Sequence, residues 1–309
     1  MKAVDTSSDI ISLIDEIKND KTSGASQLAR KAVKVLQATA QATQASSAYE
    51  FWQEQKEISN RLIFTRPVMV SIFNIVSRFL ATVAVKVTDR DLASIKAFAI
   101  TKADILIEES LQAVAQIAQH VTDLVNKGDT IMTHSYSSTV MAGLKAVYHK
   151  HKDITVITTR SGPSRSGEIT IRQLGRYGIP VTFIDDTAVG PYISLANKAV
   201  IGADRVCANG KLVNSIGTYQ LALVAERASV PIYVLCETLK FETRLKGVEV
   251  DLEEKDPSEL LETANIPARI KVKNPHFDIT PLEMITAIIT ENGVLAPIEL
   301  LSMLKNTPT

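Results

Sequence analysis

Residues 201–240 read IGADRVCANGKLVNSIGTYQLALVAERASVPIYVLCETLK, and this stretch decides the fold. The apolar run Lys198–Gly202 predicts a buried strand that ends just before the carboxylate of Asp204. An amphipathic helix follows, and a second apolar strand, Pro231–Cys236, ends at Glu237. Two strands joined by a helix pair in parallel, and ligands of such sheets bind beyond the carboxyl ends of the strands. We therefore place the candidate site beside Asp204 and Glu237.

The bulk composition limits the function classes. The chain has 309 residues, with 34 Lys plus Arg and 34 Asp plus Glu, so its formal net charge is zero. That length favours two domains, and the balanced charge argues against a nucleic-acid coat or attraction to a membrane surface. The longest apolar stretch, Val68–Val87, contains Arg78 and Lys86 and is better explained by a buried helix than by a membrane span. With two cysteines and no export signal, we expect a cytoplasmic protein.

Hydrophobic periodicity divides the chain in two. Helical patterns run through residues 1–125, and the character changes at Lys127-Gly128-Asp129. From there short apolar strands alternate with helices, and we expect five strands between about 128 and 237. The prediction is an α/β fold in which a helical N-terminal domain, 1–125, precedes a Rossmann-like domain, 126–309, with a mostly parallel sheet. A final helix is expected from about Leu282.

Phosphate-binding signatures exclude two common classes. The dinucleotide fingerprint G-x-G-x-x-G is absent from every strand–helix turn, so no nicotinamide cofactor is predicted. The loop Gly162–Gly167 has the glycine spacing of a P-loop but lacks the following lysine, which excludes an NTPase. Arg160 and Arg165 favour anion binding by this loop, and a solvent-exposed loop with two hydrated arginines is the alternative. The five histidines show no zinc pattern, so no metal or other cofactor is predicted.

Polar residues at the predicted strand ends supply the other candidates. Ser135 is expected to cap the next helix or to contact a ligand, because no nucleophile motif accompanies it. Asp204 is a general base, a ligand of sugar hydroxyls, or the cap of the next turn. Asn214 and Gly217-Thr218, just before a helix, predict a phosphate seat made by backbone N–H groups. Asp185-Asp186 is interpreted as a helix cap.

A set of motifs, taken in chain order, carries a resemblance to a known family. They are Phe51-Trp52, Thr65-Arg66-Pro67, Thr133-His134, Tyr177-Gly-Ile-Pro180, Gly202-Ala-Asp204, Ala208-Asn-Gly210, Asn214, Ile216-Gly-Thr218, Glu237-Thr-x-Lys-Phe241 and Phe277-Asp-x-Thr-Pro281. The chain resembles the family shared by the alpha, beta and delta regulatory subunits of translation initiation factor 2B and by two isomerases. These are methylthioribose-1-phosphate isomerase and archaeal ribose-1,5-bisphosphate isomerase. The resemblance covers nearly the whole chain and implies dimers that assemble further.

Three positions depart from the isomerase pattern of that family. The isomerases have a cysteine after Thr-His, where this chain has Ser135, and a lysine after the asparagine, where it has Ser215. They also have an arginine before the glycine of an early turn, where this chain has Ser23-Gly24. A tuned thiol can exchange a proton with a sugar carbon, whereas an unassisted serine hydroxyl cannot. The family aspartate is kept as Asp204.

The leading hypothesis from the sequence is therefore a non-catalytic regulatory subunit of the initiation factor 2B type. It would form a homodimer or a larger homo-oligomer, hold a phosphorylated sugar or nucleotide, and have initiation factor 2 or related subunits as partners. Asp204 would bind ribose hydroxyls. The ligand-binding residues implied by the family pattern are Gly24, Arg66, Arg160, Asn214, Ser215 and Gly217.

Two other hypotheses stay open. One is an active aldose–ketose isomerase acting on a ribose phosphate such as ribose 1,5-bisphosphate. There Asp204 would shuttle a proton between sugar carbons, with Ser135 at the position of the family cysteine. The other is a purely structural oligomer without a ligand.

Overall fold

The computed structural model of the chain describes residues 6–88, 91–151, 153–243, 252, 254–261, 267 and 269–306. Its contacts divide the chain into two compact units, Met1–Ala113 and Val114–Thr309. The division falls inside a continuous helix, where a sequence offers no break. Because a contact boundary does not establish where an independently folding domain ends, the predicted boundary at 125/126 stays a prediction.

The described part of the first unit is helical. Its helices are α1 (Thr6–Asn19), α2 (Ala25–Ala42), α3 (Ala48–Ile63), α4 (Val70–Ala84) and the start of α5 (Leu92–Leu124). The hydroxyl of Ser47 caps α3 by accepting from the Glu50 N–H at 3.2 Å. α4 buries apolar side chains such as Ile72 and Phe79, each 0% exposed, and packs against α2 and α3. The central part of the Val68–Val87 stretch is thus a helix with a buried face, as the sequence indicates, whereas Val85 beyond its end is 67% exposed. None of the described helices combines the length and apolar character that crossing a bilayer requires.

The second unit contains a seven-stranded sheet in the order β11-β10-β7-β4-β1-β2-β3. All neighbouring strands pair in parallel except β10 and β11, which are antiparallel. The strands are β1 (Thr130–Thr133), β2 (Thr155–Thr159), β3 (Val181–Ile184), β4 (Lys198–Ile201), β7 (Ile232–Leu235), β10 (Ala287–Thr290) and β11 (Gly293–Leu295). The predicted fold class, a helical N-terminal region followed by a mostly parallel α/β sheet, is confirmed.

Helices cover both faces of this sheet. They are α6 (Ser138–His151), α7 (Gly167–Tyr177), α8 (Val189–Ile193), α9 (Thr218–Arg227) and α10 (Pro297–Asn306). Successive strand residues point into opposite cores, so Val200 packs in one apolar cluster and its neighbours Ala199 and Ile201 in the other. Strands buried on both faces read as the continuous apolar runs that made them recognisable in the sequence.

A second, four-stranded sheet has the order β8-β5-β6-β9. Its strands are β5 (Arg205–Cys207), β6 (Lys211–Ser215), β8 (Phe241–Glu242) and β9 (Phe277–Pro281). β5 and β6 form an antiparallel hairpin whose turn includes Gly210 at φ 82°. The sequence does not predict β5 or β6, because polar residues such as Arg205 and Asn214 leave these short strands without an apolar run.

The end of the chain differs from the expectation. Leu282–Met284 is one 3₁₀ turn, and the helix predicted from about Leu282 is replaced by β10 and β11, with α10 beginning only at Pro297. The reason is the apolar, β-branched run Ala287–Thr290, whose four residues are all buried beside β7. The five strands expected up to residue 237 are present in the large sheet as β1, β2, β3, β4 and β7, and β10 and β11 add two strands beyond that residue.

Candidate functional site

The candidate site lies at the carboxyl edge of the large sheet. After β1 the chain adds β2 and β3 on one side and then returns to add β4 and β7 on the other, so the order reverses between β1 and β4. A Cβ atom added to Gly202, after β4, would lie 2.7 Å from the Cβ of Ser137, after β1. The polar segments that follow these two strands therefore meet at a topological switch point, where ligands of such sheets bind.

His134 follows β1 and is 3% exposed. Its Nδ1 lies 2.7 Å from the Oγ1 of Thr159, and its Nε2 lies 2.7 Å from the carbonyl oxygen of Ile216. A carbonyl only accepts, so Nε2 carries the proton and Nδ1 accepts from the Thr159 hydroxyl when the ring is neutral. Burial lowers the pKa of His134, against the opposing influence of the Ile216 carbonyl and the Asp186 carboxylate. The ring is therefore neutral at physiological pH.

Ser135 adopts a φ of 65°, a left-handed conformation that is uncommon for serine. Its N–H donates to the Oγ of Ser161 at 2.7 Å, and its carbonyl accepts from the Thr170 hydroxyl at 2.8 Å. The Ser135 hydroxyl lies 2.7 Å from the Oγ of Ser215 and 3.0 Å from the Oγ of Ser166. We call these three hydroxyls, from residues 135, 166 and 215, the serine cluster. Such a group can donate to and accept from the hydroxyls of a sugar.

Some of the residues that cap the helices differ from those predicted from the sequence. Ser137, not Ser135, accepts from the first turn of α6, with its Oγ 3.3 Å from the Val140 nitrogen. Asp185 caps the following 3₁₀ turn as predicted, and hydrogen bonds from Thr187 lower the pKa of its carboxyl group. Asp186 instead accepts from the N–H groups of residues 161 and 162, at 2.9 and 2.8 Å, and so holds the loop after β2.

The loop between β2 and α7 packs too tightly for a side chain at its end. A Cβ atom on Gly167 would lie 1.9 Å from the carbonyl oxygen of Thr159. Of the two arginines predicted to bind an anion, Arg165 forms an ion pair with Glu168 at 2.6 Å. Arg160 is exposed, and its guanidinium makes no hydrogen bond to the part of the chain that the structure describes. Arg160 is therefore the better placed of the two to bind a ligand phosphate.

The amino end of α9, predicted as a phosphate seat, already holds a carboxylate. The Oδ2 of Asp278 accepts from the N–H groups of Gly217 and Tyr219, at 2.8 and 3.0 Å. Asn214 donates to the Oγ1 of Thr218 at 3.0 Å rather than into open space. Phosphate binding beside Gly217 stays a prediction, and the two N–H groups that Asp278 occupies do not contribute to it while that contact holds.

Asp204 is 8% exposed and lies in a buried, charged neighbourhood. Burial raises the pKa of the nearby Cys236 thiol to about 12, with Lys240 opposing and Glu237, Glu291 and Asp204 adding to the rise. The charges of Asp204, Glu237 and Lys240 therefore act on the same point beyond β4 and β7. A role of Asp204 in proton transfer stays a prediction.

The two remaining predicted residues belong to the first unit. The N–H of Gly24 donates to the Oε1 of Gln27 at 2.9 Å, at the start of α2. Arg66 donates to the carbonyl oxygens of Ile17 and Asp20, at 3.4 and 2.5 Å, and so satisfies the carboxyl end of α1. Their contact with a ligand stays a prediction.

Sequence reasoning missed the roles of Ser166, Asp186 and Asp278. Ser166 and Asp186 act on partners 20 or more residues away, so no local spacing identifies them. One signal in the sequence points to Asp278, because it lies in the family motif Phe277-Asp-x-Thr-Pro281.

A comparison with protein-family models matches residues 21–297 to the initiation factor 2 subunit family. The chain belongs to this family. Ribose 1,5-bisphosphate isomerase of Pyrococcus furiosus is 37% identical over 303 residues, covering 96% of this chain and 93% of the relative. The protein of the same name from Methanocaldococcus jannaschii is 37% identical over 284 residues, covering 92% and 90%.

Solved structures of family members share the fold. A Pyrococcus horikoshii protein described as translation initiation factor eIF-2B superposes with a TM-score of 0.80 at 29% identity, covering 94% of this chain and 97% of its own. The 5-methylthioribose 1-phosphate isomerase of the same organism has a TM-score of 0.80 at 25% identity, covering 96% and 87%. The predicted family, which joins the initiation factor subunits to these isomerases, is confirmed.

The relatives correct the leading hypothesis from the sequence. Four archaeal relatives at 33–37% identity are all named ribose 1,5-bisphosphate isomerase, whereas that hypothesis was a non-catalytic regulatory subunit. The non-catalytic hypothesis gave decisive weight to the missing thiol at Ser135. It gave too little weight to the retained Asp204 and to the hydroxyls that surround residue 135.

Proposed function

We propose that this protein is an aldose–ketose isomerase acting on a ribose phosphate, with ribose 1,5-bisphosphate as the substrate. The observation that carries the proposal is the group of relatives named for this reaction, which align over more than nine tenths of the chain. The buried carboxylate of Asp204, after β4, and the hydroxyl of Ser135, after the neighbouring strand β1, support it, since the reaction needs a proton carrier and partners for sugar hydroxyls.

The chemistry follows from the substrate. A ribose phosphorylated on O1 is a closed ring without a free aldehyde, so ring opening and proton transfer must be coupled. A base removes the C2 proton while the C1–O4 bond breaks and O4 gains a proton, which leaves an enol phosphate with a C1=C2 double bond. Loss of the O2 proton and return of a proton to C1 then give the C2 ketone. Atoms balance, because the proton gained by O4 equals the one lost from O2.

Asp204 is the residue we assign to the proton on carbon, taking it from C2 and returning it to C1. Ser135 does not replace the thiol as a base, because a hydroxyl ionises far above physiological pH. Its role here is a hydrogen bond to a sugar oxygen, within the serine cluster.

Phosphate recognition is assigned to Arg160 first, because its guanidinium is exposed and is not hydrogen-bonded in the described part of the chain. Asn214, Ser215 and Gly217 would adjoin a phosphate at the amino end of α9. Gly24 and Arg66 stay in the proposal on the family pattern alone. Assembly as a homo-oligomer and a cytoplasmic location also stay predictions. Sedimentation velocity of the purified chain measures the first, and fractionation of the source cells measures the second.

The decisive experiment is a turnover assay with ribose 1,5-bisphosphate and, in parallel, methylthioribose 1-phosphate. We expect conversion of the bisphosphate to its ketose, and Asp204→Asn should lower kcat/KM by about 10²–10⁴-fold, the usual effect of losing a general base. Ser135→Ala should cost less, because Ser135 carries no proton on carbon. Asp256→Asn, which alters an exposed aspartate that caps a 3₁₀ turn, is the matched control. A folded protein without turnover of the bisphosphate, or full activity in Asp204→Asn, would refute the proposal.

A further inference from the structure

Asp278 joins the end of the chain to the amino end of α9. In β9 it pairs in register with Asn214 of β6, which places its carboxylate beside the loop that leads into the helix. Its Oδ2 accepts from the N–H groups of Gly217 and Tyr219, while its Oδ1 is buried without a hydrogen-bond partner. A buried carboxylate oxygen is costly, so the contact needs a compensating role.

The contact fixes the segment from Ser215 to Tyr219. The N–H of Ile216 donates to the carbonyl of His276 at 2.9 Å, so three backbone N–H groups tie this segment to β9 and the residue before it. The segment therefore cannot shift without breaking its pairing with β9. Its carbonyl at residue 216 points at the ring of His134, 2.7 Å from Nε2.

That carbonyl sets the direction of a hydrogen-bond relay. Because Ile216 only accepts, His134 is protonated on Nε2, and Nδ1 accepts from the Thr159 hydroxyl. The Oγ1 of Thr159 then accepts from the Ser161 hydroxyl at 3.0 Å, and the Oγ of Ser161 accepts from the Ser135 N–H at 2.7 Å. The Thr159 hydroxyl is directed by Nδ1, the Oγ1 of Thr159 is the shortest of the contacts open to the Ser161 hydroxyl, and the relay ends on the strained backbone of Ser135.

The segment from Ser215 to Tyr219 packs closely against both His134 and Ser135. A Cβ atom on Gly217, which has a φ of 100°, would lie 2.8 Å from the Cε1 of His134. On the other side of the same segment, the Ser215 hydroxyl contacts Ser135 at 2.7 Å. A displacement of the segment would therefore disturb both His134 and the serine cluster.

We propose that Asp278 is a positioning residue of this site: by holding the amides of Gly217 and Tyr219, it places the Ile216 carbonyl that fixes the tautomer of His134 and, through the relay, the conformation of Ser135. The effect on turnover rests on the proposed function. The effect on His134 does not, because it exists in the protein without substrate.

The test measures both effects in Asp278→Ala and Asp278→Asn. Nitrogen-15 NMR of the histidine rings reports the tautomer of His134, assigned by its absence in His134→Gln. In Asp278→Ala we expect loss of the single Nε2–H tautomer, and a kcat at least about tenfold lower with KM changed less. Asp278→Asn keeps an oxygen acceptor and should restore the tautomer and most of kcat. Asp91→Ala, which removes an aspartate that accepts from Ser94 at the start of α5, should change neither.

The proposal is overturned if folded Asp278→Ala keeps His134 in the wild-type tautomer. Where Asp278→Ala does not fold, Gly217→Ala tests the same connection from the other side, since its Cβ atom presses on the His134 ring. An unchanged ring spectrum in that variant also refutes the proposal. A wild-type protein with the expected tautomer but no turnover would refute the isomerase proposal and leave the positioning role standing.

Discussion

Asp278 carries its carboxylate in surroundings that favour the neutral acid. Burial raises the pKa of Asp278 to about 6, although hydrogen bonds from the N–H groups of Tyr219 and Gly217 act in the opposite direction. Burial outweighs them because one oxygen is buried without a partner. The same residue that orders the candidate site is therefore a source of pH-dependent stability.

Replacing Asp278 by asparagine should remove part of the pH dependence of the free energy of unfolding. A folded-state pKa above the ordinary value of 3.8 means that the native state binds the proton more tightly, so this contribution is full at low pH. This contribution to the free energy of unfolding is lost as the pH rises from about 4 through about 6, and the loss is at most about 3 kcal/mol. Urea unfolding of both proteins between pH 4 and 7.5 measures it.

The comparison isolates Asp278, because the opposing titration of buried His134 is present in both proteins. The free energy of unfolding of the wild type, relative to Asp278→Asn, should fall across that interval. Parallel profiles would show that Asp278 titrates normally.

Two glycines of α7 differ in their structural role. Gly167 begins the helix where the chain turns back on β2, and a side chain there would overlap the Thr159 carbonyl. Gly175 lies further along the same helix, is exposed, and has no atom within 4 Å of an added Cβ. The first glycine is required by close backbone approach, whereas the second only weakens the helix.

Alanine at these two positions should have opposite effects. Gly175→Ala should stabilise the protein by about 0.5–1 kcal/mol, because alanine loses less backbone entropy in a helix. Gly167→Ala should destabilise it by more than about 2 kcal/mol, since the backbone near Thr159 must move. Thermal unfolding of the two variants gives the comparison, and equal effects of the two substitutions would contradict the assignment of Gly167 as a packing glycine.

Elements with strong local patterns were predictable, and those that depend on distant partners were not. The apolar runs at β1, β2, β3, β4 and β7 identify parallel strands, and the carboxyl ends of β1 and β4 locate Ser135 and Asp204. β10 was missed because its three apolar residues fit a helix as well as a strand until β7 pairs with them. Asp278 was missed as a site residue because its role exists only once β9 pairs with β6, more than 60 residues earlier.

The candidate site and one buried ion pair lie at opposite ends of the strands of the large sheet. Ser135 and Asp204 follow the carboxyl ends of β1 and β4. Asp129 and Lys198 lie at the amino ends of the same strands, with Nζ and Oδ2 2.5 Å apart and both side chains 9% exposed. Lys198 also donates to the carbonyl of Leu124, the last residue of α5, at 2.9 Å. Substitutions on this edge should affect stability and leave the site intact.

Lys198→Met should lower the free energy of unfolding by about 3–5 kcal/mol, because it leaves the Asp129 carboxylate buried without its counterion. Lys150→Met is the matched control: its ion pair with Asp123 is also short, at 2.9 Å, but its side chain is 47% exposed, so the cost should be below about 1 kcal/mol. Urea unfolding measures both. Turnover by folded Lys198→Met should stay within about twofold of the wild type, and a large loss of kcat would show that the two edges are coupled.

The hydroxyl at position 135 also decides how the protein responds to its chemical environment. Its only sulfhydryl groups are Cys207 and Cys236, both buried, and burial raises their pKa values to about 11 and about 12. Alkylating agents and peroxides attack the ionised, accessible form of cysteine, which neither residue provides. At the proposed site a hydroxyl therefore stands where the family pattern implies a thiol, and this position offers oxidants no sulfur to attack.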